Sequence, residues 1–216
     1  MSRESPVVRP FRPGDRPAVR CICHQAGYMG DPADWYWRHA ESFADVWTGY
    51  YTDREPESLF VVERAGEVAG FLAGCVDTHR APSPKHTLVR ALLRYGLFLR
   101  PGTAGFLWRG VRDTLVQGGA PSGELDDPRW PSHLHVNLAA AARGRGAGAA
   151  LMAAWLDRLR ALGSPGCHVS TLAENTRAVR FFERMGFRRP APPILAPGLR
   201  SPTGGRHHLQ FMVRDL

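Results

Sequence analysis

Lysine is almost absent from this chain: 27 of its 28 basic residues are arginine, and Lys85 is the exception. The arginines are spread along the chain, so the net charge of +8 does not read as a nucleic-acid patch. Cysteine is scarce too. Cys21, Cys23, Cys75 and Cys167 show no C-x-x-C spacing, which argues against a zinc framework or a disulfide-stapled fold. Free thiols suit a reducing cytoplasm. No apolar run reaches membrane-spanning length and the N-terminus has no apolar signal core, so no membrane partner is expected. His207 and His208 are adjacent, but no further ligand stands at metal spacing, and no metal is expected. At 216 residues the chain suits one domain, 1–216, with a sizeable core.

Against these absences stands one glycine-rich segment, Arg143-Gly144-Arg145-Gly146-Ala147-Gly148. It follows an alternating strand, His133 to Leu138, and opens an amphipathic helix to about Leu162. The first turn of a helix has backbone N–H groups without intrahelical partners, and the helix dipole adds positive charge there. Glycines let that backbone approach a bulky anion, and Arg143 and Arg145 add charge beside it. The pattern calls for a pyrophosphate.

Three phosphate loops compete. No Lys follows the glycines, which excludes G-x-x-x-x-G-K-S/T. The third glycine and the later acid of G-x-G-x-x-G are missing. The segment does fit R/Q-x-x-G-x-G/A, and so resembles the acetyl-CoA loop of the GNAT N-acetyltransferases. About 30 residues on, after a strand from Cys167 to Leu172, comes Asn175-Thr176-Arg177-Ala178-Val179-Arg180-Phe181-Phe182-Glu183-Arg184-Met185-Gly186-Phe187. This is similar to the second GNAT signature, N-x-x-A-x-x-F/L-Y-E-K/R-x-G-F. Asn175 reads as a helix start and Gly186 as its end.

The resemblance covers His133 to Phe187 in detail. Within the superfamily, Trp130-Pro131-Ser132-His133-Leu134-His135-Val136-Asn137-Leu138 and Leu162-Gly163-Ser164-Pro165-Gly166-Cys167-His168-Val169 resemble bacterial relatives of the C-terminal acetyltransferase-like domain of O-GlcNAcase. Those strands usually end in an acid where this chain has Asn137.

The resemblance implies an α/β GNAT fold: a mixed, mostly antiparallel sheet of seven strands flanked by helices. It implies acetyl-CoA as cosubstrate and a primary amine as acceptor. The backbone of Asn137, Leu138, Ala139 and Ala140 would pair with the pantetheine. Arg143, Gly144, Arg145, Gly146, Ala147 and Gly148 would hold the pyrophosphate, with Asn175, Phe181 and Phe182 alongside. Some members carry a base ten residues before the loop, which here is His133. Asp126 and Asp127 are alternatives, and a purely structural His133–His135 pair is another. Where the family usually has a tyrosine to protonate the leaving thiolate, this chain has Phe182. All five tyrosines lie before residue 96, so none lies in the motif. An acetyl-CoA-binding module without turnover is therefore the competing expectation.

The remaining chain is read from periodicity. Val7 to Phe11 is a strand, and a helix runs from Pro13 to about Ala26. Asp31-Pro32 starts a helical region carrying Trp35, Tyr36, Trp37, Phe43 and Trp47, either core or acceptor-site wall. Ser58 to Glu63 and Val68 to Asp77 form a hairpin. Residues 78–131 form a helical insertion between the third and fourth strands, with apolar stripes Leu88/Leu92/Tyr95/Leu99 and Leu107/Val111/Leu115. It suits scaffold, lid or homodimer surface. A Pro-rich loop from Pro190 to Gly205 precedes a last strand, His207 to Arg214.

Overall fold

The structure is a computed structural model that describes residues 6–100, 102–116 and 125–216. Seven strands form one sheet in the order β1-β2-β3-β4-β5-β7-β6. They are β1 (Val7–Pro10), β2 (Leu59–Arg64), β3 (Glu67–Cys75), β4 (Ser132–Leu138), β5 (Gly166–Leu172), β6 (Ile194–Arg200) and β7 (Arg206–Asp215). Only β4 and β5 pair in parallel. Six helices flank the sheet: α1 (Arg16–Gln25), α2 (Ala40–Asp53), α3 (Pro84–Tyr95), α4 (Thr103–Val116), α5 (Ala147–Ala161) and α6 (Thr176–Arg184).

The alternation in β4 divides the core. Leu134 faces α5 and α6, in a cluster with Leu151, Met152, Trp155 and Phe182. His133 and His135 face the opposite side, where Tyr51 of α2 packs against both rings. That second cluster collects Val19, Tyr28, Tyr36, Trp37, Phe43 and Tyr51. Area-proportional burial of such side chains is the main favourable contribution to folding.

Three expectations need correction. The second helix does not begin at Asp31-Pro32. Residue 33 is a bend, residues 34–36 form a turn and 37–39 have no regular structure, and α2 starts at Ala40, where the side chain of His39 accepts from the Ser42 amide. This irregular segment places Tyr36 and Trp37 in the core together, which one helical face would not do. Next, the expected loop from Pro190 to Gly205 contains a strand, β6, paired with β7 at Ile194, Leu195 and Arg200. Pro197 and Gly198 hid it, because they interrupt the alternating pattern and suit the shifted register found there. Finally, both inserted helices exist, but Leu99 lies in a short 3-10 turn after α3. The Val111/Leu115 stripe of α4 faces outward, at 52% and 75% exposure. Asp113 turns inward instead, bonding the Gly198 amide at 2.9 Å and Arg200 at 2.6 Å.

Candidate functional site

β4 and β5 touch at only two register positions, Ser132↔Cys167 and His133↔His168, and then part. His133 and His168 therefore close the deep end of a splay. At the open end the chain leaves β4 at Leu138 and enters the glycine loop. Ala139 N–H donates to Ala69 O of the β3 side, so the neighbouring residue, Leu138, turns its polar groups toward the splay. Its carbonyl there accepts from the Arg143 guanidinium at 3.0 and 3.1 Å.

The glycine loop leaves open space at the N-terminus of α5. Gly144 and Gly146 adopt φ of 72° and 82°, a region that disfavours side chains. A Cβ at either would meet nothing within 4 Å. Gly146 caps α5 without a side-chain hydrogen bond, so the first-turn amides have no local side-chain acceptor. Gly148 lies close to Phe181 and Leu138: a Cβ there would stand 3.2 Å from the Phe181 ring. Asn175 caps α6, its side chain accepting from the Ala178 amide at 3.2 Å.

Arg143 and Arg177 meet at this edge. Their guanidiniums donate to two adjacent carbonyls of the α1–α2 loop, Arg143 to Gly30 and Arg177 to Met29. Neither forms an ion pair among the described residues. Burial first, and then the charge of Arg177, lower the pKa of Arg143 against a weaker pull from Asp31. Two adjacent cations held only by carbonyls favour an anion between them.

The deep end holds three histidines. His133 is buried, with Nδ1 2.7 Å from Thr78 Oγ1 and Nε2 2.8 Å from the Tyr51 hydroxyl. The Thr78 hydroxyl also donates to Pro131 O at 2.7 Å. With its proton so placed, His133 Nδ1 donates to Thr78 and Nε2 accepts from Tyr51. His168 Nδ1 donates to Trp130 O at 2.8 Å. His135 is half-buried and enclosed by the rings of Trp47, Tyr51 and His133. Burial, then the neighbouring histidines, hold His133 well below its usual pKa. Burial, then His168, take His135 down to about 4. All three rings are neutral at pH 7.

Asp126 and Asp127 stand before β4, at the paired end rather than the open one. Asp126 is solvent-exposed, and Asp127 is bound to Arg129 at 2.7 Å. Phe182 lies in the apolar cluster between the rings of Phe181 and Phe187.

Sequence reasoning missed several residues at this edge. The Tyr28 hydroxyl lies 2.8 Å from His207 Nε2, and His207 Nδ1 lies 3.2 Å from Glu174, out of line for a hydrogen bond. Glu174 in turn bonds His208 Nδ1 at 2.9 Å. Tyr28 packs edge-on against Trp35 and Tyr36. A tyrosine far away in sequence thus reaches the start of β7. No local signal could have found it, because its partner His207 is 179 residues downstream.

A model of the acetyltransferase (GNAT) family matches residues 28–187. Among solved structures, the crystal structure of SsHAT is 28% identical over 98% of each chain, with a TM-score of 0.70. The putative acetyltransferase yncA from Salmonella typhimurium, solved with its cofactor acetyl-CoA, is 16% identical over 99% of this chain and 95% of that one, with a TM-score of 0.60. A Drosophila melanogaster polyamine N-acetyltransferase is 19% identical over 98% and 100%, with a TM-score of 0.61.

Proposed function

This chain belongs to the acetyltransferase (GNAT) family, and on that premise we propose that it transfers an acetyl group from acetyl-CoA to a primary amine. The observation that carries the reading is the splay itself. Among the described residues, one edge of β4 has no partner strand beyond His133, directly before an open glycine loop at a helix N-terminus. The chain's residues fit acetyl-CoA at that place, since the loop has open space before Gly144 and Gly146 and beside it two cations that form no ion pair among the described residues.

Acetyl-CoA, when bound, supplies the activated thioester. The β4 backbone from Asn137 to Ala140 holds the donor, with the polar groups of Leu138 turned into the splay. The loop from Arg143 to Gly148 binds the pyrophosphate through its amides and the helix dipole. Asn175 orders the start of α6, and Phe181 and Phe182 wall the channel. Holding donor and amine together replaces a bimolecular encounter with an intramolecular one. Backbone donors aimed at the carbonyl oxygen stabilise the charge that develops there.

His133 serves in this reading as an anchor. Its lone pair is taken by Tyr51, and burial keeps it a weak base. The attacking amine therefore arrives neutral through its own ionisation, with a reference pKa of about 10.4 for an alkylamine. The strand Pro131 to Val136 supports a place near the bacterial relatives of the O-GlcNAcase acetyltransferase-like domain. A cofactor-binding module without turnover is the second reading, favoured by Phe182, which has no proton to give and lies 3% exposed among apolar rings.

Release of free thiol from acetyl-CoA, measured with and without a panel of primary amines, tests the proposal. Amine-dependent release is expected, with a rate that rises toward alkaline pH and shows no inflection near 6.5. Tight acetyl-CoA binding with no amine-dependent release from any amine would replace the enzyme reading with the module.

A further inference from the structure

The positive charge of this protein is not evenly distributed. Between Asp77 and Asp113 the sequence has no carboxylate at all. Residues 78–116 hold seven Lys or Arg against Asp113 alone, a net of six positive charges out of +8 for the whole chain. Asp113 is itself 3% exposed and bound to Arg200, so it offers no negative charge to solvent. Counting bases along the chain misses this, because it is the acids that are absent.

The same segment holds the exposed apolar surface. Among the described residues, eight of the twelve large apolar side chains that are exposed lie between Val89 and Val116. Leu93, Leu99, Trp108 and Leu115 are each at least 75% exposed. On α3 the two properties interleave on one helical face: Lys85, His86, Val89, Arg90, Leu93 and Arg94 line an open depression of about 720 Å³. Lys85 and Arg90 have no ion-pair partner among the described residues, and Arg94 reaches Asp45 only at 3.6 Å.

Single exposed apolar residues need no explanation, but a concentration of them rimmed by one sign of charge does. We propose that the outer face of α3 and α4 docks peripherally on an anionic lipid surface, with Leu93, Leu99 and Trp108 entering the headgroup region and Lys85 and Arg90 pairing with lipid phosphates. Basic residues interleaved with apolar ones on a helix face suit this chemistry, because each takes a different layer of the bilayer surface. Charge excludes a second copy of this chain, which would set like charges against each other on the same face. A nucleic acid would take the guanidiniums but leave Leu93 and Leu99 in water. No described helix is long and apolar enough to cross a membrane, and the contact is peripheral.

The test is flotation of the full chain with vesicles of phosphatidylcholine alone and of phosphatidylcholine mixed with phosphatidylglycerol. Partitioning should favour the anionic vesicles by about tenfold or more and weaken as salt is raised. Arg90→Gln should lower it roughly fivefold. The double variant Leu93→Ser/Trp108→Ser should lower it about tenfold through lost apolar insertion. Both variants change exposed residues, and an unchanged rise in melting temperature with acetyl-CoA shows that they fold. Equal partitioning to both vesicles, or to neither, overturns the proposal. So does anionic binding that the Leu93→Ser/Trp108→Ser variant retains in full and a generic RNA competes away, since that is charge alone. Reversible dimerisation lost in the same variant would assign the face to a second copy instead.

Discussion

The two faces of the central sheet are packed by different chemistry. Under α5 and α6 the buried cluster is made of Leu, Met, Val, Phe, Ala, Cys167 and Trp155, with no tyrosine among them. Under α1 and α2 the sheet meets Tyr28, Tyr36, Tyr51, His24 and Trp37, whose polar tips all find partners. The first face draws most of its residues from Leu134 to Phe187, a continuous run. The second collects Val19, Tyr51, Phe71, Ala91 and Leu97 from separate segments. A constant cofactor can be held by one local backbone motif. An acceptor site is assembled from side chains that several segments bring together.

The strongest way to break the apolar face is Trp155→Ala. Trp155 is fully buried and fills the space beside Gly74, where an added Cβ would stand 2.3 Å from its ring. Urea denaturation should show a loss of about 3–5 kcal/mol. Trp155→Phe should lose clearly less, because the Trp155 indole N–H has no partner to forfeit. A loss under 1 kcal/mol, on any reading of Trp155→Ala, would show that this face is loosely packed.

Next in size is Gly146→Glu at the edge of the same face. It places a carboxylate at a φ of 82° in the anion loop. Calorimetry should show acetyl-CoA binding weakened by about 100-fold or more, near 2.7 kcal/mol. Gly146→Ala carries the backbone strain without the charge and should retain most of the binding. If both variants bind like the parent, the loop is not the pyrophosphate site.

A hydroxyl moved between faces sharpens the contrast further. Tyr51→Phe leaves His133 Nε2 buried without its partner and should cost about 1–3 kcal/mol. Phe182→Tyr adds a hydroxyl to the apolar face and should cost a similar amount without acetyl-CoA. If acetyl-CoA restores much of the stability of Phe182→Tyr and speeds thiol release, the added hydroxyl reaches the thioester sulfur. If Tyr51→Phe is neutral, the polar network on the α2 face contributes little.

The smallest effect at neutral pH comes from the histidines. The folded protein keeps His133, His135 and His168 neutral below their usual pKa, whereas the unfolded chain takes up protons near 6.5. Stability is therefore fully present above about pH 6.5 and is lost as pH falls toward about 4. Melting temperatures across that range should fall, and His135→Gln should flatten the slope. An unchanged slope in His135→Gln would mean that ring is solvated in the folded state.

The apolar face was largely legible in the sequence. The alternation of β4, the glycine turn into α5 and the Asn175 cap are each local, and each appears where its spacing places it. The α2 face was legible only as a surplus of aromatics. Its irregular stretch at residues 33–39 follows no helical or strand period, and β6 was disguised by Pro197 and Gly198. The partner of His133 could not be read either, because Tyr51 and Thr78 are 82 and 55 residues away.

By itself, then, the sequence determined the glycine loop, the strand and helix that flank it and the family they belong to, because backbone amides and helix dipoles act within one turn of their own residues. Only the tertiary structure decided which histidine is tied to which hydroxyl, which tyrosine reaches the start of β7, and that the α4 stripe faces outward. Those outcomes depend on which distant segments meet. Hydrogen bonds and burial across a sheet reward contacts that no local spacing encodes.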